Sequence, residues 1–345
     1  MEQTVAKRKA PSLLERAVWK MLLKSFKVLM GLFVYYNTKV KKRGLYERPT
    51  YVKRYAVRPQ LENHVWIPNS YRPGSSTRLP LLIDIHGGGF CIGHPFVDDR
   101  DNAIYSHKHG ICVVSINYRK APEYGFPQPV EDVAALIQAV LDDPELPVDK
   151  DRVAVLGYSA GGNLCLTGPQ LNNLHTKIKA SVAFYPVTDF KRTLAMRVAA
   201  STPPPNGTDM LVRSSRAFNW FYLRGKQDYE NPLLSPLYAD RSRLPPKLFL
   251  MGCEYDILCA EARDAAAKYA EQEEAGGAKK MPLGEGRVGW TCGNVVWEEL
   301  KGLEHGYNQR WPTQRGPLRE VWKQRTEEIH DNVAKWLFKE VYTSD

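Results

Sequence analysis

Five short runs of near-continuous apolar residues, separated by helical stretches, constrain this chain more than any other feature. They are 78–85 (RLPLLIDI), 111–118 (ICVVSINY), 153–157 (VAVLG), 180–186 (ASVAFYP) and 247–252 (KLFLMG), with helical patterns at 130–141 and 260–274. A strand that is apolar on both faces must be covered on both, and helices between successive strands supply that cover. The predicted fold class is α/β, with a mostly parallel central sheet and helices on both faces. Two stretches break the rhythm. Residues 187–232 hold a Pro/Gly segment (TPPPNG, 202–207) and the aromatics Phe218, Trp220, Phe221 and Tyr222, and read as an insertion forming a lid. Residues 276–294 are rich in glycine and read as a loop, followed by a strand-like run at 295–300.

Charge divides the chain unevenly. Of 48 Lys+Arg and 38 Asp+Glu, residues 1–60 carry 15 basic and three acidic side chains, leaving the other 285 residues slightly acidic. A near-neutral body with a basic arm argues against nucleic acid as a partner, since a nucleic-acid-binding domain spreads positive charge over a folded face. The six cysteines form no CxxC pair and no metal-ligand spacing, and most sit in apolar strings, so all six read as structural in a reducing compartment. An intracellular location is expected, cytoplasmic or peripheral on an internal membrane.

Within the arm, 12–36 is helical in pattern, with Arg16, Lys20, Lys24 and Lys27 on one stripe and apolar residues over the rest. The longest charge-free run, 28–38, is 11 residues, too short to span a bilayer, and charges interrupt any signal-peptide pattern. Two readings stay open and are compatible. One is a cap helix over a site, and the other is an interfacial helix touching anionic lipid through residues 12–43.

Gly157-Tyr158-Ser159-Ala160-Gly161 fits G-x-S-x-G between a strand and a helix, where glycines permit the tight turn that lifts a serine hydroxyl above the sheet. His86-Gly87-Gly88-Gly89-Phe90 follows an earlier strand, and its bare backbone lets N–H groups approach a developing oxyanion. A nucleophilic serine needs a base, and the base an orienting carboxylate. His305 lies after the last strand-like run and Asp256 just after the 247–252 strand, giving the chain order Ser159, Asp256, His305 expected of an α/β-hydrolase. His330 is the rival base, though its helical run (320–338) suggests a surface histidine, and Asp264 is the rival acid, two turns into a helix.

These motifs, with YRKAPEYGFPQPVEDV (118–133), NPLLSPL (231–237), LPPKLFLMGCEYDIL (244–258) and HGY (305–307), resemble the hormone-sensitive-lipase-like α/β-hydrolases. That family includes arylacetamide deacetylase-like and microbial carboxylesterases. The resemblance implies Ser159 as nucleophile, His305 as general base and acid, Asp256 as its partner, and an oxyanion hole of Gly88, Gly89 and Ala160 N–H groups. It also implies a cap made of 1–60 and 187–232 over a catalytic domain of 61–345, a structural His86, and a Glu131 that supports the architecture below the site. Two departures stand out. Tyr158 occupies a position that is usually acidic in the family, and 49 positions separate Asp256 from His305.

The implied activity is cleavage of carboxylic esters through an acyl-enzyme, with no cofactor and no metal. Expected substrate-binding residues are Phe90, Tyr158, Phe218, Trp220 and Phe221, suited to a small apolar or aromatic ester. Two other readings stay open: an acyltransferase or cyclase, to which Tyr158 and the 276–294 stretch lend support, and a ligand-binding protein without catalysis.

Overall fold

Strand residues alternate between two cores in this chain. In the computed structural model, which describes residues 10–41, 47–205, 207–225 and 227–343, ten strands form one sheet. They are β1 (Tyr51–Lys53), β2 (Asn63–Trp66), β3 (Leu79–Ile85), β4 (Cys112–Ile116), β5 (Val148–Tyr158), β6 (Ala180–Phe184), β7 (Lys247–Tyr255), β8 (Met281–Pro282), β9 (Val288–Cys292) and β10 (Val295–Glu304). Their spatial order is β1-β2-β4-β3-β5-β6-β7-β10-β9-β8. The block β4-β3-β5-β6-β7-β10 is parallel throughout, with antiparallel strands at both edges.

Side chains of one strand point to opposite faces in turn. Val153 and Val155 of β5 join the core beneath helices Gln128–Leu141, Ala160–Thr167 and Cys259–Ala275, while Ala154, Leu156 and Tyr158 join the core beneath helix Pro317–Glu340. The α/β architecture with a mostly parallel sheet is the one expected. All six cysteines are buried and unbridged.

Over one end of the sheet lies a helical layer from two distant parts of the chain. Between β6 and β7 come helices Leu194–Ala199 and Met210–Leu223, and beside them the N-terminal helix Leu13–Tyr35. A capping box starts that helix: the Glu15 amide donates to Ser12 Oγ at 3.2 Å, and the Ser12 amide donates to Glu15 Oε2 at 2.7 Å. Arg216 pairs with Glu15 at 2.8 Å, the Arg16 guanidinium stacks over Trp220 at 4.5 Å, and Lys27 reaches Glu123 at 2.7 Å. Of the basic arm, residues 1–9 and 42–46 lie outside the described residues, and with them Lys42 and Arg43 of the 12–43 stretch.

Three expectations need correction. Residues 276–294 are not a loop: they contain β8 and β9, which extend the sheet antiparallel beyond β10, with Trp290 opposite Trp297 across a Gly293-Asn294 turn. Glu131 is exposed, and the supporting carboxylate is its neighbour Asp132, buried and gripped by Arg119 Nε (2.8 Å) and Nη2 (2.7 Å) and by Arg58. His330 is no surface histidine, being fully buried against Tyr105 Oη at 2.9 Å and Asp101 at 3.1 Å.

Candidate active site

The side chains expected to react hang from the C-terminal ends of parallel strands. Ser159 follows β5, the 86–90 loop follows β3, Asp256 follows β7 and His305 follows β10. A crevice at the carboxyl ends of strands is where open α/β sheets gather ligands. Ser159 sits at φ 55°, ψ −113°, directly before helix Ala160–Thr167. This left-handed conformation is uncommon for a residue with a Cβ and belongs to the sharp turn that G-x-S-x-G encodes. Gly161 makes the turn possible: a Cβ there would lie 1.9 Å from the Ile85 carbonyl oxygen, so only glycine lets this helix press against the end of β3.

Ser159 Oγ lies 2.9 Å from His305 Nε2, and His305 Nδ1 lies 2.7 Å from Asp256 Oδ2. A carboxylate only accepts, so Nδ1 carries the proton and Nε2 is left to accept from the serine hydroxyl. Asp256 is wholly buried, and its Oδ1 accepts the Leu258 amide at 2.9 Å. Burial opposes a charge on His305, but the Asp256 carboxylate, with help from Asp209, outweighs it and raises the imidazole pKa above its ordinary value.

The 86–90 loop faces the serine. His86 holds it from within: Nδ1 lies 2.7 Å from the Gly87 carbonyl, Nε2 lies 3.1 Å from Asn117 Oδ1, and the ring stacks on Tyr118 at 4.5 Å. Burial, then the nearby Lys120 charge, keep this imidazole well below its usual pKa, hence neutral and structural. Gly89 marks where the helical layer meets the loop, since a Cβ there would fall 2.3 Å from the Phe218 ring.

A cavity of about 680 Å3 opens above Ser159 and His305. Its walls include Gly88, Gly89 and Phe90 from the body, Phe218 and Phe221 from helix Met210–Leu223, and Trp19, Leu22, Leu23 and Phe26 from the N-terminal helix. Two expected pocket residues are placed elsewhere. Tyr158 points to the opposite face of the sheet, fully buried beside Phe184 (4.8 Å) and Tyr185 (6.2 Å), as strict alternation along β5 requires. Trp220 lies outside the lining, partly exposed beneath Arg16. The rivals also fall away. Asp264 pairs with Arg192, and His330 belongs to the core on the Tyr158 side.

One residue had not been expected at all. Asp209 caps helix Met210–Leu223 by accepting the Leu211 amide at 2.7 Å, and its other oxygen accepts the Ile257 amide at 2.7 Å, directly after Asp256. An Asp before a helical run is a capping signal, but its second partner is 48 positions away. Among the described residues, no group of three or more His, Cys, Asp and Glu side chains converges as a metal site would require.

Comparison with known proteins agrees with this fold. Residues 82–282 match the family model described as alpha/beta hydrolase fold. An arylesterase of Saccharolobus solfataricus is 31% identical over 215 residues, covering 61% of this chain and 67% of that protein. Carboxylesterase NlhH of Mycobacterium tuberculosis is 32% identical over 208 residues, covering 58% of this chain and 62% of the relative, so the match spans less than two thirds of that protein. Among solved structures, a hyperthermophilic esterase from the archaeon Pyrobaculum calidifontis superimposes with a TM-score of 0.66 at 26% identity, covering 95% of this chain and 99% of that one. With the sheet order, the serine turn and the matched 82–282 region in agreement, the chain belongs to the alpha/beta hydrolase fold family.

Proposed function

We propose that this chain hydrolyses carboxylic esters with Ser159 as nucleophile, His305 as general base and acid, and Asp256 as the group that orients the imidazole. The observation that carries the proposal is the unbroken hydrogen-bonded line from Asp256 through His305 to Ser159 at the floor of an apolar cavity. Ser159 Oγ attacks the ester carbonyl carbon while Nε2 takes its proton. The tetrahedral intermediate collapses with cleavage of the C–O bond, and Nε2 returns the proton to the leaving alcohol. Water then repeats the sequence on the acyl-serine and releases the acid.

The negative oxygen of each intermediate is received by the N–H groups of Gly88, Gly89 and Ala160. Ala160 begins a helix, so its N–H has no partner one turn back. One such donor is worth about 10²–10³ in turnover. The cavity volume, and the walls formed by Phe90, Phe218 and Phe221, suit an ester with an apolar or aromatic group. The helical layer acts as the cap. Transfer to another acceptor finds no support in the two features behind that reading, since Tyr158 and residues 276–294 both lie outside the cavity lining.

Ser159→Ala tests the assignment. Turnover of p-nitrophenyl acetate should fall by at least about a thousandfold with an unchanged melting profile. Wild-type-like turnover in that variant would overturn the serine's role.

A further inference from the structure

Exposed apolar side chains are rare on most of this surface and crowded on one helix. Among the described residues, thirteen of the 25 large hydrophobics that stand exposed fall between Leu13 and Val40. The helix uses one face, through Trp19, Leu23, Lys27, Met30 and Val34, to pack on the body. The face turned away carries Leu14 (74% exposed), Met21 (61%), Val28 (57%) and Leu32 (62%), with Val18, Leu29 and Tyr36 beside them. At 1.5 Å per residue this apolar strip runs about 33 Å from Leu14 to Tyr36. So large an unpartnered patch signals an interaction surface rather than ordinary surface scatter.

Charge says what it meets. Lys20 and Lys24 are exposed along one flank of the strip, and Lys39 and Lys41 at its end. Glu15, the helix's one carboxylate, is already engaged by Arg216. A second copy of the helix would bring lysines to lysines with no free acid to answer them, whereas an anionic lipid surface answers every one. Among the described residues no helix is long and apolar enough to cross a membrane.

We infer that the N-terminal helix seats this protein on the surface of an anionic bilayer, apolar strip in the headgroup layer and lysines at the phosphates, with the cavity mouth facing the lipid. The last clause follows from shared residues: Leu22 and Phe26 of the helix and Met210 of the cap are exposed and also line the cavity above Ser159. An apolar ester dissolved in the membrane then reaches the serine without crossing water. This route rests on the ester-hydrolase reading, but binding to the surface does not.

The test uses the full chain carrying Ser159→Ala, so binding is scored apart from turnover. Co-sedimentation with phosphatidylcholine vesicles holding about 30% phosphatidylserine should greatly exceed that with phosphatidylcholine alone. Lys20→Gln with Lys24→Gln should weaken it about thirtyfold, at roughly 1 kcal/mol per lysine. Leu14→Ser with Leu32→Ser should also weaken it, and both pairs, placed in the Ser159 enzyme, should leave hydrolysis of a soluble short ester unchanged. Equal sedimentation with both vesicle types, or no effect of either pair, overturns the inference. So does a dimer by light scattering that the Leu14/Leu32 pair dissociates, because the strip would then belong to a second copy.

Discussion

Ser159, Asp256 and His305 hang on the ends of β5, β7 and β10, whose neighbours on either side are sheet. Phe218 and Phe221, on the facing wall of the same cavity, hang on a helix held by a handful of polar contacts. On the body side the position of each side chain is over-determined. The Ser159 amide donates to the Phe184 carbonyl at 2.9 Å, Asp256 takes the Leu258 amide, and the whole floor is buried. On the cap side the pins are Asp209, the buried Arg197–Glu261 pair, and exposed contacts such as Glu15–Arg216. Exposed pairs contribute little each, about 0–1 kcal/mol. The floor is therefore held from the sheet on every side, whereas the roof joins the body through these pins and the stack of Tyr222 on Phe90 at 3.8 Å.

The comparison breaks first at the floor. Asp256→Asn keeps an oxygen for the Leu258 amide but replaces the acceptor facing His305 with a group that favours the wrong tautomer. Turnover should fall about 10⁴-fold with the fold intact, measured as kcat on a soluble ester. A loss under tenfold would mean that the carboxylate does not orient the base. The next effect lies where floor and roof join. Arg197, on helix Leu194–Ala199, donates to Glu261 at 2.7 and 3.2 Å, and Glu261 is wholly buried. Arg197→Ala strips that buried carboxylate of its charge partner, leaving it only the Thr188 and Asp189 amides, at a cost of about 3–5 kcal/mol. Urea unfolding reads it directly, and a change below about 1 kcal/mol would show that the roof is not anchored there.

The same contrast explains what the sequence disclosed. The floor is written in local patterns: apolar runs end in G-x-S-x-G and HGGG, and a strand end precedes Asp256, so residues a few positions apart carry most of the geometry. Expectation and structure part for local and for long-range reasons. Tyr158 was expected in the pocket because it adjoins Ser159, yet counting alternate residues from Val153 already sends it to the other face. The β8–β9 extension had a Gly-Asn turn flanked by apolar residues as its signal, hidden by surrounding glycines. Glu131 and Asp132 are adjacent carboxylates, and only the placement of Arg119 and Arg58 tells them apart. His330 resembled a helix-surface residue until Tyr105 and Asp101, more than two hundred positions away, closed over it.

The smallest effect is also the one that links the two regions. Asp209 starts the cap helix and accepts the amide of Ile257, so it ties the roof to the loop bearing the triad acid. Burial and then the nearby Asp256 charge raise its own pKa, and in its ionised form it adds to the field that raises that of His305. Only neutral His305 can take the serine proton, so activity is lost as pH falls through its raised pKa. Removing the second negative charge with Asp209→Asn lowers that pKa, and the acid limb of the kcat/KM profile should move to lower pH. The same variant has one side-chain oxygen for two amides, so either the Leu211 or the Ile257 N–H loses its acceptor, at about 1–3 kcal/mol. A purely structural Asp209 would give that stability loss with the acid limb unmoved. A downward shift of the limb, measured over pH on the soluble ester, would show the cap helix's capping residue tuning the base beneath it.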